Sequence, residues 1–316
     1  MTVKTSMLDY AFFEGKIVPF ADAVISIGTH AVQYGTGAFA GIRGYLDAHD
    51  ETINIFRLRD HTTRLLNSGK LLRAELPYTP DTLAEVIASL VEKNSPTTDI
   101  YIRPFIYKPA VQLTPRLQGL GDEVAVYMMG MGDYLDLERG QKAIVSSWVR
   151  IPDNAIPSRG KISGSYANSA FVKDEAEEKG GDEAIVLNTA GKVAEGSSCN
   201  LFIVRNGVLT TPPLTADILE GITRRTVMQF AQDASIPVEQ REIDRTELYL
   251  AEEAFFCGTG VQVAWIEAID GRPIGDMSMG PITRQIKDMF FETVRGKRSE
   301  YADWLYQVKP RVASAV

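Results

Sequence analysis

A glycine-containing, charged segment, GMGDYLDLERGQ at residues 130–141, divides this chain into two stretches that each carry apolar strand and helix patterns. At 316 residues the chain is long enough for two domains with separate cores. We therefore predict an α+β (mixed α/β) fold with a ligand between two domains. The smaller N-terminal domain is expected at 1–130, the interdomain loop at 131–140 and the larger C-terminal domain at 141–316.

Hydrophobic periodicity predicts the elements within each stretch. Period-two alternation indicates strands near 10–13, 17–20, 101–107 and 123–129, and then near 142–148, 183–187, 200–204 and 254–258. Helical spacing indicates helices near 60–75 and 81–94, and then near 165–179, 221–234 and 281–295. Asp60 and Asp81 are predicted to cap the first two helices, and Pro281 suits the first turn of the last one.

Composition excludes several classes of function. The net charge is −8 with both signs interspersed, and no basic stripe indicates a nucleic-acid partner. No apolar run reaches the length of a membrane span. The only cysteines, Cys199 and Cys257, lie in apolar surroundings and are predicted to be reduced core thiols of a cytoplasmic protein. The three histidines lack metal-ligand spacing, so no metal is predicted.

Three segments supply, in chain order, an amine, a carboxylic acid and an anion cup. By anion cup we mean a helix start whose free backbone N–H groups can bind an anion. Lys161 lies in the polar loop PSRGKISGSYANSA, Glu195 in EGSSCNLF, and a turn into a helix in DILEGITRR. A helix start offers N–H groups and a positive dipole end to phosphate. Each signal alone is weak, because a single lysine is usually a solvated surface charge. Together they suit pyridoxal 5′-phosphate (PLP), which carries an aldehyde, a pyridine nitrogen and a phosphate.

Seven sequence blocks, in order and from about Tyr10 to Gln307, resemble those of fold-type IV PLP-dependent aminotransferases, and most closely branched-chain amino acid aminotransferases. The resemblance implies that family's two-domain fold, with the cofactor between the domains. The blocks are HAVQYGTGAFAGIRGY (30–45), FRLRDHTTRLLNSGKLL (56–72), YIRPFIY (101–107), GKISGSY (160–166), EGSSCNLF (195–202), LEGITR (219–224) and CGTGVQV (257–263).

The resemblance implies roles at the cofactor. Lys161 would form the Schiff base and act as general base, and Glu195 would pair with the pyridine nitrogen. Leu219 would pack on the ring, and the phenol of Tyr166 would reach the ring oxygen. The phosphate would be bound by Arg59, Gly221, Ile222, Thr223 and Thr259.

Alternation in YIRPFIY places Tyr101 and Arg103 on one face of a strand, where they could bind a carboxylate or form a partly exposed cross-strand pair. The resemblance favours binding: Tyr101 with the backbone of Thr259 and Gly260 would hold the α-carboxylate. Arg103 and Tyr134 would hold the distal carboxylate of glutamate. Phe39, Gly41 and Arg43 would line or border the pocket, and Tyr34 would come from the partner subunit of a homodimer or larger homo-oligomer.

The implied reaction moves the amino group of leucine, isoleucine or valine to 2-oxoglutarate by a ping-pong Schiff-base mechanism. The chain departs from the family pattern at Ala40, where an acidic residue is common, and at Met131, where an aromatic residue is common. Both changes remove bulk or charge near the expected pocket. We therefore predict a specificity widened toward aromatic substrates or (R)-primary amines.

Three alternative functions stand beside this interpretation. A D-amino acid or (R)-amine transaminase shares the fold, but the Arg-x-His carboxylate trap of the D-amino acid group is absent, since Pro104 and Phe105 follow Arg103. An aminodeoxychorismate lyase shares the lysine and the glutamate but not the full N-terminal blocks. A PLP-binding protein without turnover is the third alternative, and the retained carboxylate-binding blocks argue against it.

Overall fold

The computed structural model describes residues 6–132 and 135–309, so the predicted site residue Tyr134 lies outside the described residues. The chain forms two compact units. Unit one comprises the described residues of Met1–Gly132, Gly160–Gly164 and Glu292–Val316, and unit two those of Asp133–Arg159 and Ser165–Phe291. The division after Gly132 falls inside the expected loop at 131–140. The segment that carries Lys161 and the C-terminal segment, both expected in the second domain, belong instead to unit one.

Unit one is an antiparallel sheet with two packed helices. Its strands run in the order β18-β6-β5-β7-β8-β2-β3, with β1 beside β8 and β4 beside β7. The helices α2 and α3 pack on each other and on the sheet. The elements are β1 Ser6–Met7, β2 Tyr10–Phe13, β3 Lys16–Pro19, α1 His30–Tyr34, β4 Gly37–Phe39, β5 Ile42–Leu46, β6 Ile53–Phe56, α2 Leu58–Leu71, α3 Pro80–Asn94, β7 Ile100–Tyr107, β8 Glu123–Gly130 and β18 Leu305–Val308.

Unit two is a mixed sheet in the order β11-β10-β9-β16-β15-β12-β13-β14, with β17 beside β16. Both β10 and β16 run parallel to β9. The elements are β9 Gln141–Val149, α4 Tyr166–Glu178, β10 Glu183–Leu187, β11 Val193–Gly196, β12 Asn200–Arg205, β13 Val208–Thr211, α5 Ile222–Asp233, β14 Val238–Gln240, β15 Glu253–Gly258, β16 Gln262–Ile269 and β17 Arg272–Pro273. The last helix, α6 Pro281–Val294, spans the division at Glu292.

Local sequence explains where the helices start. Thr79 caps α3 through a reciprocal capping box with Thr82, and Pro80 occupies the first helical position. The prediction that Asp81 caps this helix is therefore wrong. Asp60 does not cap α2 either, because Arg57 occupies the N-cap position in a left-handed conformation. An oxygen placed before the first turn is what reaches the unsatisfied N–H groups, and both aspartates lie inside the helix.

The mixed α/β architecture with two sheets confirms the predicted fold class. The predicted strands and helices are present, with ends within a few residues of the expected ones. The short strands β4, β5 and β6 were not predicted. The strands β4 and β5 lie in or at the end of the glycine-containing motif at 30–45 and both pair with β7, and β6, just after the motif, pairs with β5.

Candidate active site

The backbone around Lys161 is fixed by α2 and β4 of unit one. The Lys161 N–H donates to Ser68 Oγ at 3.1 Å, and its carbonyl accepts from the Phe39 N–H at 2.9 Å. The Gly164 N–H donates to the Gly35 carbonyl at 3.1 Å, and a Cβ on Gly35 would lie only 2.7 Å from the Gly164 Cα. The backbone of the segment around Lys161 therefore packs directly against the backbone of the glycine-containing motif at 30–45, with no room for a side chain on Gly35. Lys161 Nζ lies 5.2 Å from the centre of the Phe39 ring.

Arg103 and Tyr101 of β7 lie beside the same phenylalanine. The Arg103 guanidinium stacks over the Phe39 ring at 4.4 Å and donates from Nη2 to the Tyr101 hydroxyl at 2.9 Å. The Arg103 Nε is buried and has no hydrogen-bond partner among the described residues. A guanidinium with an unused donor suits a carboxylate ligand. Lys161, Phe39, Tyr101 and Arg103 are thus brought together within unit one.

Two residues of the glycine motif support this group. A Cβ on Gly41 would lie 2.1 Å from the Tyr101 hydroxyl oxygen, so glycine is the residue that leaves room for the phenol. Arg43 is buried and paired with Tyr101 across β5 and β7. Its Nη2 donates to the Gly132 carbonyl at 2.7 Å, which ties the end of the β8 segment to the motif.

Arg59 occupies a different environment from the one expected. Its side chain is 75% exposed and pairs with Asp81 of α3 at 2.7 Å. The exposed pair raises the pKa of Arg59 through the hydrogen bond and charge of Asp81. Arg64, which was not predicted as a site residue, is half-buried and lies four residues before Ser68, so both project from the same face of α2. A helical wheel of FRLRDHTTRLLNSGKLL, with its buried Leu65 and Ser68, would have indicated this face.

Tyr34 ends α1 and is 38% exposed. Its hydroxyl donates to the Leu113 carbonyl at 2.5 Å. His30, at the start of α1, is fully buried, with Nδ1 at 2.7 Å from the Thr36 hydroxyl and Nε2 at 3.0 Å from the Thr114 carbonyl. These contacts attach the loop at 110–114 to α1, beside the glycine motif.

Glu195 of β11 lies in unit two and is almost fully buried. Its Oε1 pairs with Arg150 Nη2 at 3.0 Å. Its Oε2 accepts from Asn200 Nδ2 at 3.0 Å and from the Leu219 N–H at 3.1 Å. A charged donor and two neutral donors suit an ionised carboxylate. Arg150 and Asn200 were missed by the sequence analysis, and no local pattern indicates that they converge on Glu195.

Asn200 also links the acid to the start of α5. Its amide donates to the Leu219 carbonyl at 3.2 Å, and a Cβ on Gly221 would lie 1.9 Å from its Oδ1. Gly221 is the N-cap residue of α5 and has no side chain with which to cap it. The first-turn N–H groups, including those of the buried Ile222 and Thr223, are therefore available to an anion.

The remaining predicted residues also lie in unit two. Thr259 and Gly260 are half-buried and follow β15, whose Cys257 pairs with Asn200 of β12. Tyr166 is half-buried at the first position of α4. Within unit two, Asn200 therefore contacts Glu195, Leu219 and the start of α5 and links the three.

Comparison with known proteins identifies the family. The model of the amino-transferase class IV family matches residues 44–269. A probable branched-chain-amino-acid aminotransferase of Aquifex aeolicus is 45% identical over 307 residues, which cover 97% of this chain and 99% of that protein. This chain belongs to the amino-transferase class IV family. The resemblance inferred from the sequence is confirmed.

Two solved structures of class IV aminotransferases match nearly the whole chain. The branched-chain aminotransferase of Thermoproteus uzoniensis with norvaline has a TM-score of 0.92 at 40% identity, covering 96% of this chain and 100% of that one. The branched-chain amino acid aminotransferase of Thermobaculum terrenum in its PLP form has a TM-score of 0.90 at 36% identity, covering 96% and 99%. No helix in the described part of the chain is long and apolar enough to cross a membrane.

Proposed function

We propose that this protein is a PLP-dependent branched-chain amino acid aminotransferase that moves the amino group of leucine, isoleucine or valine to 2-oxoglutarate. The observation that carries the proposal is the buried Glu195, held by Arg150 and joined through Asn200 to the uncapped start of α5. A buried acid and an anion cup, linked by one side chain, fit the pyridine nitrogen and phosphate of a single PLP molecule. The names of the relatives and the Lys161 environment agree with this assignment.

When bound, PLP supplies an aldehyde and an electron-withdrawing ring. Lys161 would provide the amine for the aldehyde and would hold the substrate's α-proton as general base. Glu195 would hold the pyridine nitrogen, Leu219 would pack on the ring, and the Tyr166 phenol would reach the ring oxygen. The phosphate would be held by the first-turn N–H groups of α5 and the hydroxyls of Thr223 and Thr259.

We propose Arg64 in place of Arg59 as the arginine that binds the phosphate. The half-buried Arg64 projects from the face of α2 that carries Ser68, the partner of the Lys161 backbone, whereas Arg59 forms an exposed pair with Asp81. Arg64→Met should weaken PLP binding about tenfold or more, since a charged hydrogen bond contributes roughly 1.5–3 kcal/mol. Arg59→Met should leave PLP affinity within about twofold of wild type. The reverse order, measured by cofactor titration, would return the role to Arg59.

We propose the roles that the resemblance implies at the substrate carboxylates. The α-carboxylate would be bound by Tyr101 and by the backbone of Thr259 and Gly260. The distal carboxylate of glutamate is bound by Arg103, whose buried Nε has no partner among the described residues, and by Tyr134. Phe39 lines the side-chain pocket, and Arg43 stays at its border.

A widened specificity is the second proposal, supported by Ala40 and Met131, which are both buried in unit one. Their small or unbranched side chains stand where the family pattern has an acid and an aromatic residue. Aromatic amino acids or (R)-primary amines are the added substrates. Turnover of (R)-1-phenylethylamine below detection, beside fast turnover of leucine, would remove the amine part of this proposal.

We further propose a homodimer or larger homo-oligomer that uses the apolar surface of Val24, Ile25, Ile27, Val32, Val111 and Leu113, all of which are exposed. Exposed apolar groups of this extent commonly mark an interface, and Tyr34 lies at the edge of this surface. Leu113→Glu should shift the molar mass measured by light scattering toward the monomer and reduce activity. Leu250→Glu, a change at an equally apolar exposed position in unit two, is the control. A multimer unchanged by Leu113→Glu would contradict this interface.

The two buried free cysteines support a cytoplasmic location.

The absorption spectrum of the purified protein tests the main proposal. A visible band that bleaches with L-leucine and returns with 2-oxoglutarate is expected, as are parallel double-reciprocal plots. Lys161→Ala should abolish the band's response while leaving the fold intact by circular dichroism. Bleaching by D-alanine alone would move the assignment to a D-amino acid transaminase. A visible band whose absorbance does not change with any amino donor would favour a lyase or a PLP-binding protein without turnover.

A further inference from the structure

Arg224 is a buried arginine without an acidic partner. Its side chain lies in the first turn of α5 and is only 2% exposed. Its Nε donates to the Thr211 hydroxyl at 3.3 Å, and its Nη2 donates to the Pro212 carbonyl and to Gln240 Oε1, both at 2.9 Å. All three acceptors are neutral, and no carboxylate among the described residues forms an ion pair with Arg224.

Two physical costs meet at this position. A buried charge is unfavourable unless it is paired, because neutral hydrogen bonds do not replace the lost hydration. A cation in the first turn of a helix also faces the positive end of the helix dipole. The titratable groups that act on Arg224 from longer range are Cys257, Glu195 and Glu220. Burial raises the pKa of the Cys257 thiol, and the two glutamates already have cationic partners, Arg150 and Arg159 respectively. Burial lowers the pKa of the Arg224 guanidinium, which is the expected sign for an uncompensated cation.

A tightly bound dianion at the start of α5 would offset both costs. The helix begins at the uncapped Gly221, and the N–H groups of Ile222 and Thr223 point out of its first turn. The Arg224 backbone belongs to this same turn, with its Cβ only 3.2 Å from the place where a Cβ on Gly221 would lie. Hydrogen bonds to Thr211 of β13 and Gln240 of β14 hold the guanidinium in place, so its charge adds to the positive potential of this turn.

We propose that Arg224 is the positioning residue that makes this site select phosphorylated over unphosphorylated pyridoxal. Its fixed charge favours the phosphate dianion across the first turn of α5, and the bound phosphate in turn stabilises the fold around the buried charge. This inference rests on the proposed function, because it assumes that the α5 start receives the phosphate of PLP.

Dissociation constants for PLP and for pyridoxal, measured by absorbance titration of the cofactor-free full-length protein, test the inference. Arg224→Met should weaken PLP binding about tenfold relative to pyridoxal, the size expected for removal of one partly screened charge. Arg224→Lys keeps the charge and should keep most of the preference. Arg225→Met removes an exposed arginine from the same turn and is the matched control, with an unchanged preference. Equal losses for PLP and pyridoxal in Arg224→Met would show a merely structural role and overturn the inference.

Gln240→Glu provides a second test that keeps Arg224 in place. The introduced carboxylate would face the guanidinium at the position of the present 2.9 Å hydrogen bond and neutralise part of its field. We expect the thermal midpoint of the cofactor-free protein to rise, and the further rise produced by inorganic phosphate to become smaller than in wild type. A phosphate effect that is absent in wild type, or unchanged by Gln240→Glu, would overturn the inference. Failure of the proposed function has a separate signature, because wild-type protein would then bind neither PLP nor pyridoxal with a visible band.

Discussion

At the scale of single residues, the contact between Gly41 and Tyr101 gives a sharp prediction. Gly41→Ala would place a methyl group 2.1 Å from the Tyr101 hydroxyl oxygen, so the phenol must move and its contact with Arg103 must change. We expect kcat/KM for L-leucine to fall about tenfold or more, because misplacing a binding group by an ångström has effects of this size. The visible band of the bound cofactor should be unchanged.

The control for this prediction is a double-mutant cycle. Tyr101→Phe removes the oxygen that the new methyl group would strike and leaves the ring. Gly41→Ala should therefore cost less in the Tyr101→Phe background than in wild type. Strictly additive effects on kcat/KM would contradict a steric connection between the two residues.

The pair of Arg150 and Glu195 is the second residue-scale prediction. Both side chains are about nine-tenths buried and lie 3.0 Å apart. Arg150→Met would leave the carboxylate buried without its cation, and we expect urea unfolding to show a loss of about 3 kcal/mol. The double variant Arg150→Met, Glu195→Gln should recover much of that stability, because the amide is neutral, but it should not recover transamination. A single variant as stable as wild type would contradict the pairing.

At the scale of elements, Glu175 joins α4 to β9. Its Oε2 accepts from the Ser146 hydroxyl at 2.5 Å and from the Ser147 N–H at 2.8 Å. Burial alone would raise the pKa of Glu175, but hydrogen bonds from Lys179, Ser146 and Ser147 outweigh it and lower the pKa from 4.5 to about 2. The folded state therefore gains stability from ionised Glu175 above about pH 4.5, and this gain is lost as the pH falls toward 2.

Glu175→Gln should lower the free energy of unfolding by about 2 kcal/mol at pH 7, after allowance for solvent screening. The difference from wild type should shrink below pH 4.5 and vanish near pH 2, as measured by urea titration at several pH values. Glu178→Gln, at an exposed position of the same helix, should follow wild type throughout. A deficit that does not depend on pH would point to packing rather than to ionisation.

Helix and strand periodicity allowed most of the longer elements to be predicted, since α2, α3 and β7 carry enough residues for a period to show, but the eight-residue strand β16 was not predicted. The strand β4 has three residues, Gly37–Phe39, and exists because Ala38 and Phe39 pair with β7, which is a tertiary effect. The exposed pairing of Arg59 with Asp81 could not be predicted for a related reason. A motif gives the order of residues, but which arginine projects toward Ser68 depends on the helical face.

The site residues that could be predicted are those whose function has a signature in the local sequence. Lys161, Glu195 and the α5 start could be found because an amine, an acid and an anion cup each have a local signature. Arg150 could not be found, because only the pairing of β10 with both β9 and β11 brings the residue after β9 toward Glu195. Asn200 could not be found either, because its contact with Glu195 depends on how the chain between β11 and β12 folds. The assignment of the Lys161 segment to unit one likewise depends on backbone contacts with Gly35 and Phe39 that no sequence pattern indicates.

At the scale of the whole molecule, the two cysteines report on unfolding. Cys199 and Cys257 are both buried in unit two. Burial raises the pKa of Cys199 well above its ordinary value, with a further rise from Glu183, and raises the pKa of Cys257 to about 12, against an opposing effect of Arg224. Because the thiolate is the reactive form, neither cysteine should react with a disulfide reagent at pH 8 in the folded protein.

Two thiols per chain should therefore become reactive only in denaturant, with a midpoint that coincides with the loss of far-ultraviolet circular dichroism. Saturating PLP should move this midpoint to higher denaturant, since a ligand that binds only the folded state stabilises it in proportion to the logarithm of its concentration. Pyridoxal at the same concentration should move it less, because it lacks the phosphate that the start of α5 would bind. Rapid labelling of either thiol in the absence of denaturant would show that unit two opens locally, and the labelling rate would then measure that opening instead of global unfolding.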